Sequence, residues 1–450
     1  MIYSLHFAQN TGASHSLTRL RRTSHDTPQI FHHNSGIFAV TLFVTPTWAT
    51  PKEKILYSFT DGKDGGRPFA DLTIDKAGNL YGTTPDGGTN SDGAVFELTP
   101  KASGGWTEKV LYSFAGGNDG EYPYSGLVFD PAGNLYGATP YGGTGPCHDT
   151  TGNGCGVVYE LSPKTGGGWT EKVLYNFGSS RTDGTHPYSD LILDAAGNLY
   201  CTTSAGGTHN KGTAFELAAT TDGAWTPTVL YSFTFNATNR RDGSGPQAGL
   251  VFDTAGNLYG TTAGGGVGRC RGGCGTVFEL TPRSGGGWTE TVLHSFAHNA
   301  TDGTFPLATL IVDAAGNLYS TTEVGGVFDG GTVFELIPQT GGGWTETLLH
   351  SFGKGKDGQG PNGRLIFDPA GNLYSTTAQG GYASPARGTV FELSPKSGGW
   401  AEKLLHSFGA GTDGTEPFAG LVRDASGNLY GTTGFGGTHN NNGTVFQVIP

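Results

Sequence analysis

The tetrapeptide Gly-Asn-Leu-Tyr occurs seven times, beginning at Gly78, Gly133, Gly197, Gly256, Gly316, Gly371 and Gly427, each time inside a longer unit that recurs almost intact. Successive starts lie 55, 64, 59, 60, 55 and 56 residues apart. That is too long for a leucine-rich or ankyrin unit and suits four short strands with their turns. The array predicts an all-β fold, a seven-bladed β-propeller with four-stranded blades, one blade per copy.

Glycine and proline supply 79 and 23 of the 450 residues. They fall between regularly spaced apolar runs and so read as turns, whereas an aperiodic chain of this composition would be disordered. Only 14% of residues are charged, against roughly 25% in an average soluble protein, which favours an extracytoplasmic setting. The net charge is −12, and residues 1–49 hold three arginines against one aspartate, so the acidity belongs to the repeats. No basic patch speaks for nucleic acid.

Residues 37–44, IFAVTLFV, lie behind Arg19, Arg21 and Arg22 and ahead of Thr47-Trp48-Ala49, the layout of a secretory signal. Residues 1–49 are therefore expected to be a signal peptide or a disordered leader, and residues 50–450 a single propeller domain. The apolar run is too short for a mature anchor and no second one follows. We expect no membrane span, a secreted, periplasmic or cell-surface location, and a monomer.

Within residues 106–161 four strand-length apolar runs follow one another: WTEKVLYSF, GLVFD, NLYGAT and GVVYEL. Asp130-Pro131-Ala132-Gly133-Asn134 joins the second to the third as a tight hairpin, with Gly taking a positive φ and Asp capping the turn. Equivalent aspartates stand at 75, 194, 253, 313, 368 and 424. The apolar residues are nearly continuous, as in Val110-Leu111-Tyr112, which predicts burial on both faces. Six of the seven tryptophans, at 106, 169, 225, 288, 344 and 400, precede the same strand and are expected to anchor packing.

The hairpin GLVFD–GNLY resembles the first hairpin of NHL-type and related propellers, and that resemblance places GLVFD as innermost strand a, GNLY in b, TVFEL in c and VLYSF in d. In this register the last unit stops at strand c, around Thr444–Val448, while residues 53–59 form a strand d with no blade before them. The N-terminal strand is expected to complete the seventh blade, a three-plus-one closure that removes open edges. With its GNLYGTT, GGTVFEL and VLYSF motifs, the chain over about residues 53–450 resembles the GloVer (Gloeo/Verruco) tandem-repeat proteins of bacteria. The resemblance implies an exported repeat protein and carries over no catalytic residues. Members of that family often end in a sorting or anchoring module, which the last repeat here does not supply.

In this register the d-to-a and b-to-c connections share one face. The b-to-c loops vary most, and variable loops on a rigid scaffold usually carry binding. Tyr141, His209, Phe328, Tyr382, Phe435 and His439 are the candidate ligand-binding residues, with Arg269, Arg271 and Arg387 as further departures from the repeat. Aromatic residues mixed with polar ones suit a carbohydrate or protein ligand.

Each d-to-a connection carries Asp-Gly-x-x-Pro, with aspartates at 64, 119, 183, 242, 302, 357 and 413. Calcium needs six to eight oxygens, and only Asp61 and Asp64 fall in one loop. The expected role is a capped turn, no cofactor is expected, and calcium is the one cation the aspartates leave open. Cys147 with Cys155, and Cys270 with Cys274, lie in corresponding b-to-c loops and are expected to form disulfides; the rival is a metal site with His148. Cys201 is expected to be a buried thiol. Glutamates 97, 160, 216, 279, 335 and 392 recur in strand c and are expected to serve the blade. No nucleophile elbow or H-E-x-x-H helix is present. The functional expectation is a non-enzymatic scaffold or binding protein. Its alternative is a lyase, lactonase or glycosidase with carboxylates at the central channel.

Overall fold

The computed structural model describes residues 51–147, 154–221, 223–236, 241–383, 386–409 and 412–450; the leader expected over 1–49 and His148 lie outside them. Seven antiparallel four-stranded sheets follow one another along the chain. In blade 1, strands a to d are Thr73–Ile74, Leu80–Thr84, Ala94–Pro100 and Trp106–Ser113. The pattern repeats through blade 6, whose strand d is Gly399–Ser407. Blade 7 takes strands a to c from Val422–Arg423, Leu429–Thr433 and Thr444–Ile449, and its strand d from Lys52–Ser58. Lys52 pairs with Ile449 and Ser58 with Thr444 in an antiparallel ladder. The ring is thus a seven-bladed propeller closed by its N-terminal strand.

The three consecutive apolar residues of strand d have a specific cause. In blade 1 Val95 pairs with Tyr112 but Phe96 pairs with Val110, so Leu111 is the extra residue of a β-bulge. Period two would turn Leu111 away from its neighbours; the bulge bends the strand and lets Leu111 bury as well. The outer half of the strand does alternate, Trp106 and Glu108 half-buried against Thr107 and Lys109 exposed. Continuous burial therefore holds for strand b and the inner half of strand d, and fails at the rim.

Strand a, expected over GLVFD, pairs with strand b through only two residues, Val128–Phe129 in blade 2. The chain before them is committed to another blade, because the Gly126 N–H donates to Asp190 of blade 3.

The core lies between blades. One cluster joins Leu111 and Phe114 of blade 1 to Leu135, Tyr159 and Leu161 of blade 2, and the last joins Phe59, Leu72 and Phe96 to Tyr430 and Val445 across the closure. Trp106 meets Tyr430 edge-on at 6.0 Å, so the tryptophans do anchor blade to blade. A second lock is proline on glycine. A Cβ on Gly93 would stand 2.5 Å from Pro123 of the next connection, and the same clash recurs at Gly443 with Pro68. The position must stay bare for neighbouring blades to close.

The repeated polar residues form a circuit that is complete in blades 1, 3, 4 and 5, while in blades 2 and 6 the glutamate accepts from Ser162 and Ser394 and in blade 7 Gln447 donates to Tyr430. Asp75 accepts from the Ala77 and Asn79 N–H groups and from Asn79 Nδ2, and the Tyr81 hydroxyl donates to Asp75 and to Glu97, at 3.2 and 3.1 Å. The strand-c glutamates therefore serve the blade. Both disulfides form, Cys147–Cys155 and Cys270–Cys274, and Cys201 is a fully buried thiol, pushed up to about 12 by that burial.

Candidate functional site at the mouth of the central channel

The d-to-a connections are more than turns. Gly184–Thr185 pairs with Ala205–Gly206 of the following b-to-c loop, and four further blades repeat this two-residue ladder. Single bridges, Gly66 to Asp86 and Glu121 to Tyr141, do the same in blades 1 and 2. Both connections thus form one continuous face, and the residue after each proline is carried to the axis.

Those seven residues are Phe69, Tyr124, Tyr188, Gln247, Leu307, Asn362 and Phe418, and together they line a mouth of about 250 Å³. Phe69 stacks on Tyr124 at 5.9 Å and meets Phe418 and Phe435 edge-on at 5.4 and 5.8 Å. Tyr124 continues to Tyr188 at 5.7 Å, and Tyr188 shares a 2.7 Å hydroxyl–hydroxyl bond with Tyr141. The rings make an unbroken arc over blades 7, 1, 2 and 3. Tyr122 and His186, whose rings pack against Tyr141, hold φ of 54° and 59°. The residue before the proline is left-handed in all seven connections, at Arg67, Gly245, Phe305, Gly360 and Glu416 as well, so this backbone belongs to the repeat.

Two residues further on, the chain places Asp71, Gly126, Asp190, Gly249, Thr309 and Arg364 around a neck that opens into a cavity of about 460 Å³. Asp71 accepts from the Gly420 N–H and Asp190 from the Gly126 N–H, while Thr309 Oγ1 accepts from the Gly249 N–H. Each polar side chain therefore satisfies the bare amide of the preceding blade with one oxygen. Arg364 Nε lies 3.3 Å from the other Asp71 oxygen. Burial and the Asp71 charge push Asp190 up to about 6, against the pull of Arg364 and the Gly126 amide. The neck thus holds two carboxylates, a guanidinium and a hydroxyl beneath an aromatic rim, a set suited to hydroxyl-rich ligands.

Of the sequence candidates, Tyr141 and Phe435 join this arc. Phe328 and Tyr382 stand on outer loops, 44% and 61% exposed, under Lys354 and Lys356 at 5.7 and 5.0 Å. His209, His439, Arg269, Arg271 and Arg387 are exposed on loops, Arg387 paired with Glu416 at 3.0 Å. Asp64 is a turn cap, accepting from the Tyr57 hydroxyl and from Thr60, while the Asp61 N–H bonds the Gly65 carbonyl across the same turn.

The sequence reading passed over Asp71, Asp190 and Arg364. The signal was a column, the residue before the leucine of strand a, which runs Asp, Gly, Asp, Gly, Thr, Arg, Gly through the seven copies.

The model of the Gloeobacter/Verrucomicrobia repeat matches residues 34–272, 145–352 and 253–450 in three overlapping passes. The chain belongs to this repeat family. No curated protein matches. Among solved structures, the extracellular domain of a candidate one-component system from B. thetaiotaomicron is similar at 14% identity and a TM-score of 0.50, over 85% of this chain and 39% of that one. A candidate oxidoreductase (glucose dehydrogenase) from Thermus thermophilus is similar at 14% identity and a TM-score of 0.41, over 89% and 100%. At these identities the likeness is one of fold, and what this Gloeobacter/Verrucomicrobia repeat protein does must be argued from its own channel mouth.

Proposed function

We propose that this protein is an exported, monomeric carbohydrate-binding propeller, with the ligand seated on the aromatic arc and its hydroxyls directed at Asp71, Asp190 and Arg364. The observation that carries this reading is the coincidence of two departures from the repeat. The rim is aromatic over four adjacent blades, and the two carboxylates of the strand-a column, Asp71 and Asp190, belong to blades of that arc, with Arg364 reaching Asp71 from blade 6. Sugar rings present apolar C–H faces to aromatic side chains and hydroxyl groups to carboxylates and guanidinium. Two disulfides fit an oxidising compartment, and among the described residues no helix is long and apolar enough to cross a membrane.

A glycan array with the purified chain tests the reading, with Phe69→Ala/Tyr188→Ala as the control. Binding that survives this double change, or no glycan bound at all, would remove its support. One observation favours hydrolysis or elimination as a second reading: Asp190 is pushed up to about 6 by burial and by the Asp71 charge, toward the range a general acid uses. Turnover of a bound glycan, abolished by Asp190→Asn with binding intact, would favour the enzyme over the binder.

A further inference from the structure

Each aspartate of the d-to-a connections meets the same strand-d position of its own blade, and that position has two forms. It is Tyr57, Tyr112, Tyr175 and Tyr231 in blades 7, 1, 2 and 3, each donating its hydroxyl to Asp64, Asp119, Asp183 and Asp242. In blades 4, 5 and 6 it is His294, His350 and His406, set against Asp302, Asp357 and Asp413. At two of these histidine seams a third donor arrives from strand d of the next blade. His294, Asp302 and Glu346 at the blade 4–5 seam, and His406, Asp413 and Glu53 at the blade 6–7 seam, bring one ligand atom each within 4.8 Å of the others.

We propose that these two seams are binding sites for a first-row divalent ion of the zinc class, each held by one imidazole and two carboxylates. His294 Nε2 lies 3.3 Å from Asp302 and 3.7 Å from Glu346, and His406 Nε2 lies 3.1 Å from Asp413. Zinc holds nitrogen and oxygen at about 2.0–2.2 Å, which sets tetrahedral donors about 3.3–3.6 Å apart, so these contacts of His294 and of His406 are near ligand spacing already, and Glu53 lies within 4.8 Å of the second pair. A second observation points the same way. The Asp413 side chain is 8% exposed and its Oδ1 is buried without a hydrogen-bond partner. The Oε1 atoms of Glu53 and Glu346 are orphaned too, but so are those of Glu108, Glu171 and Glu290 at the tyrosine seams, so it is the aspartate oxygen beside an imidazole that distinguishes the site. Backbone N–H groups occupy part of the remaining capacity, from Ala297 and Gly303 on Asp302 and from Gly409 on Asp413. At the blade 6–7 seam Asp413 and Glu53 each carry an orphaned oxygen, and at the blade 4–5 seam Glu346 does; such carboxylates are costly to bury, and a divalent ion satisfies them. Imidazole supplies the lone pair that makes the set a transition-metal site, which a tyrosine hydroxyl already donating to aspartate does not. Because Glu53 belongs to the N-terminal strand, the second ion would tie the ring closure to blade 6.

The repeat itself supplies the control, since tyrosine stands at this position in four blades. The tag-free full chain, stripped with a chelator, is titrated with zinc by calorimetry and by thermal shift, beside the variant His294→Tyr/His406→Tyr. The expected result is two more equivalents of zinc on the wild type than on the variant, and a zinc-dependent rise in Tm that the variant loses. Taking the difference cancels zinc held by other histidines. The chelated proteins should melt alike, so a lost response is not a folding defect, and Glu346→Gln repeats the test at one seam if the histidine variant folds poorly. Equal zinc binding by wild type and variant would overturn the proposal.

Discussion

Blades 7, 1, 2 and 3 and blades 4, 5 and 6 are cut from one repeat, yet they present different surfaces at the same two positions. The first arc has Phe418, Phe69, Tyr124 and Tyr188 on its rim and tyrosine at its seams; the second has Gln247, Leu307 and Asn362 on its rim and histidine at its seams. The core is the same in both: Phe59 and Phe352 are each fully buried and meet Phe96 and Phe391 at 5.0 Å. A closed ring demands identical packing between blades, so only positions facing the axis or donating to a seam aspartate are free to diverge. The division therefore separates scaffold from surface within each repeat.

The largest test asks whether the scaffold is equivalent in both arcs. Phe59→Ala in the first and Phe352→Ala in the second should each destabilise by about 3–5 kcal/mol in urea unfolding. A gap between them above about 1.5 kcal/mol would break the equivalence. Next comes the rim. Tyr124→Ala should weaken glycan binding by roughly 10- to 100-fold, about 1.5–3 kcal/mol, whereas Gln247→Ala should leave the calorimetric Kd within about twofold. An equal loss from both would place the ligand elsewhere.

A third test concerns pH. Burial, and then the neighbouring seam aspartate, raises Glu108 and Glu171 to about 7 and Glu290 to about 8. Folded values above the unfolded one mean that these groups favour folding at low pH. Their contribution is complete below about 4.5 and is lost as pH rises through about 7–8. Tm should fall by a few degrees between pH 5 and pH 8, and Glu108→Gln/Glu171→Gln should flatten that fall; an unchanged slope would show that the carboxyls ionise freely in the seam. The smallest effect is expected for Tyr112→His, which gives the first arc the residue of the second and leaves a donor for Asp119. With chelator present its unfolding free energy should move by less than about 1 kcal/mol.

Much of the scaffold was legible because its constraints are local or repeated. The Asp-to-Gly turn and the strand-d tryptophan recur at fixed spacing, the absent last strand d shows as a break in that period, and Cys147 with Cys155 lie too close in sequence to need a fold to meet. The channel mouth was less legible. Phe69, Tyr124, Tyr188 and Phe418 each follow a proline that was noted, but a single connection gives no sign that the next residue faces an axis shared with six others. Asp71 and Asp190 hid in a column that is otherwise glycine, threonine and one arginine, before a strand read only for its apolar residues.

By itself the sequence determined the number of blades and the closure by an N-terminal strand d, read at residues 53–59 and found at 52–58, because a repeat that cannot bury its faces alone has to stack on copies of itself and finish its own edge. Only the tertiary structure decided which side chains meet at the axis and across the seams. Phe69 and Phe418 stand 349 residues apart in the chain, and ring closure alone brings them to 5.4 Å.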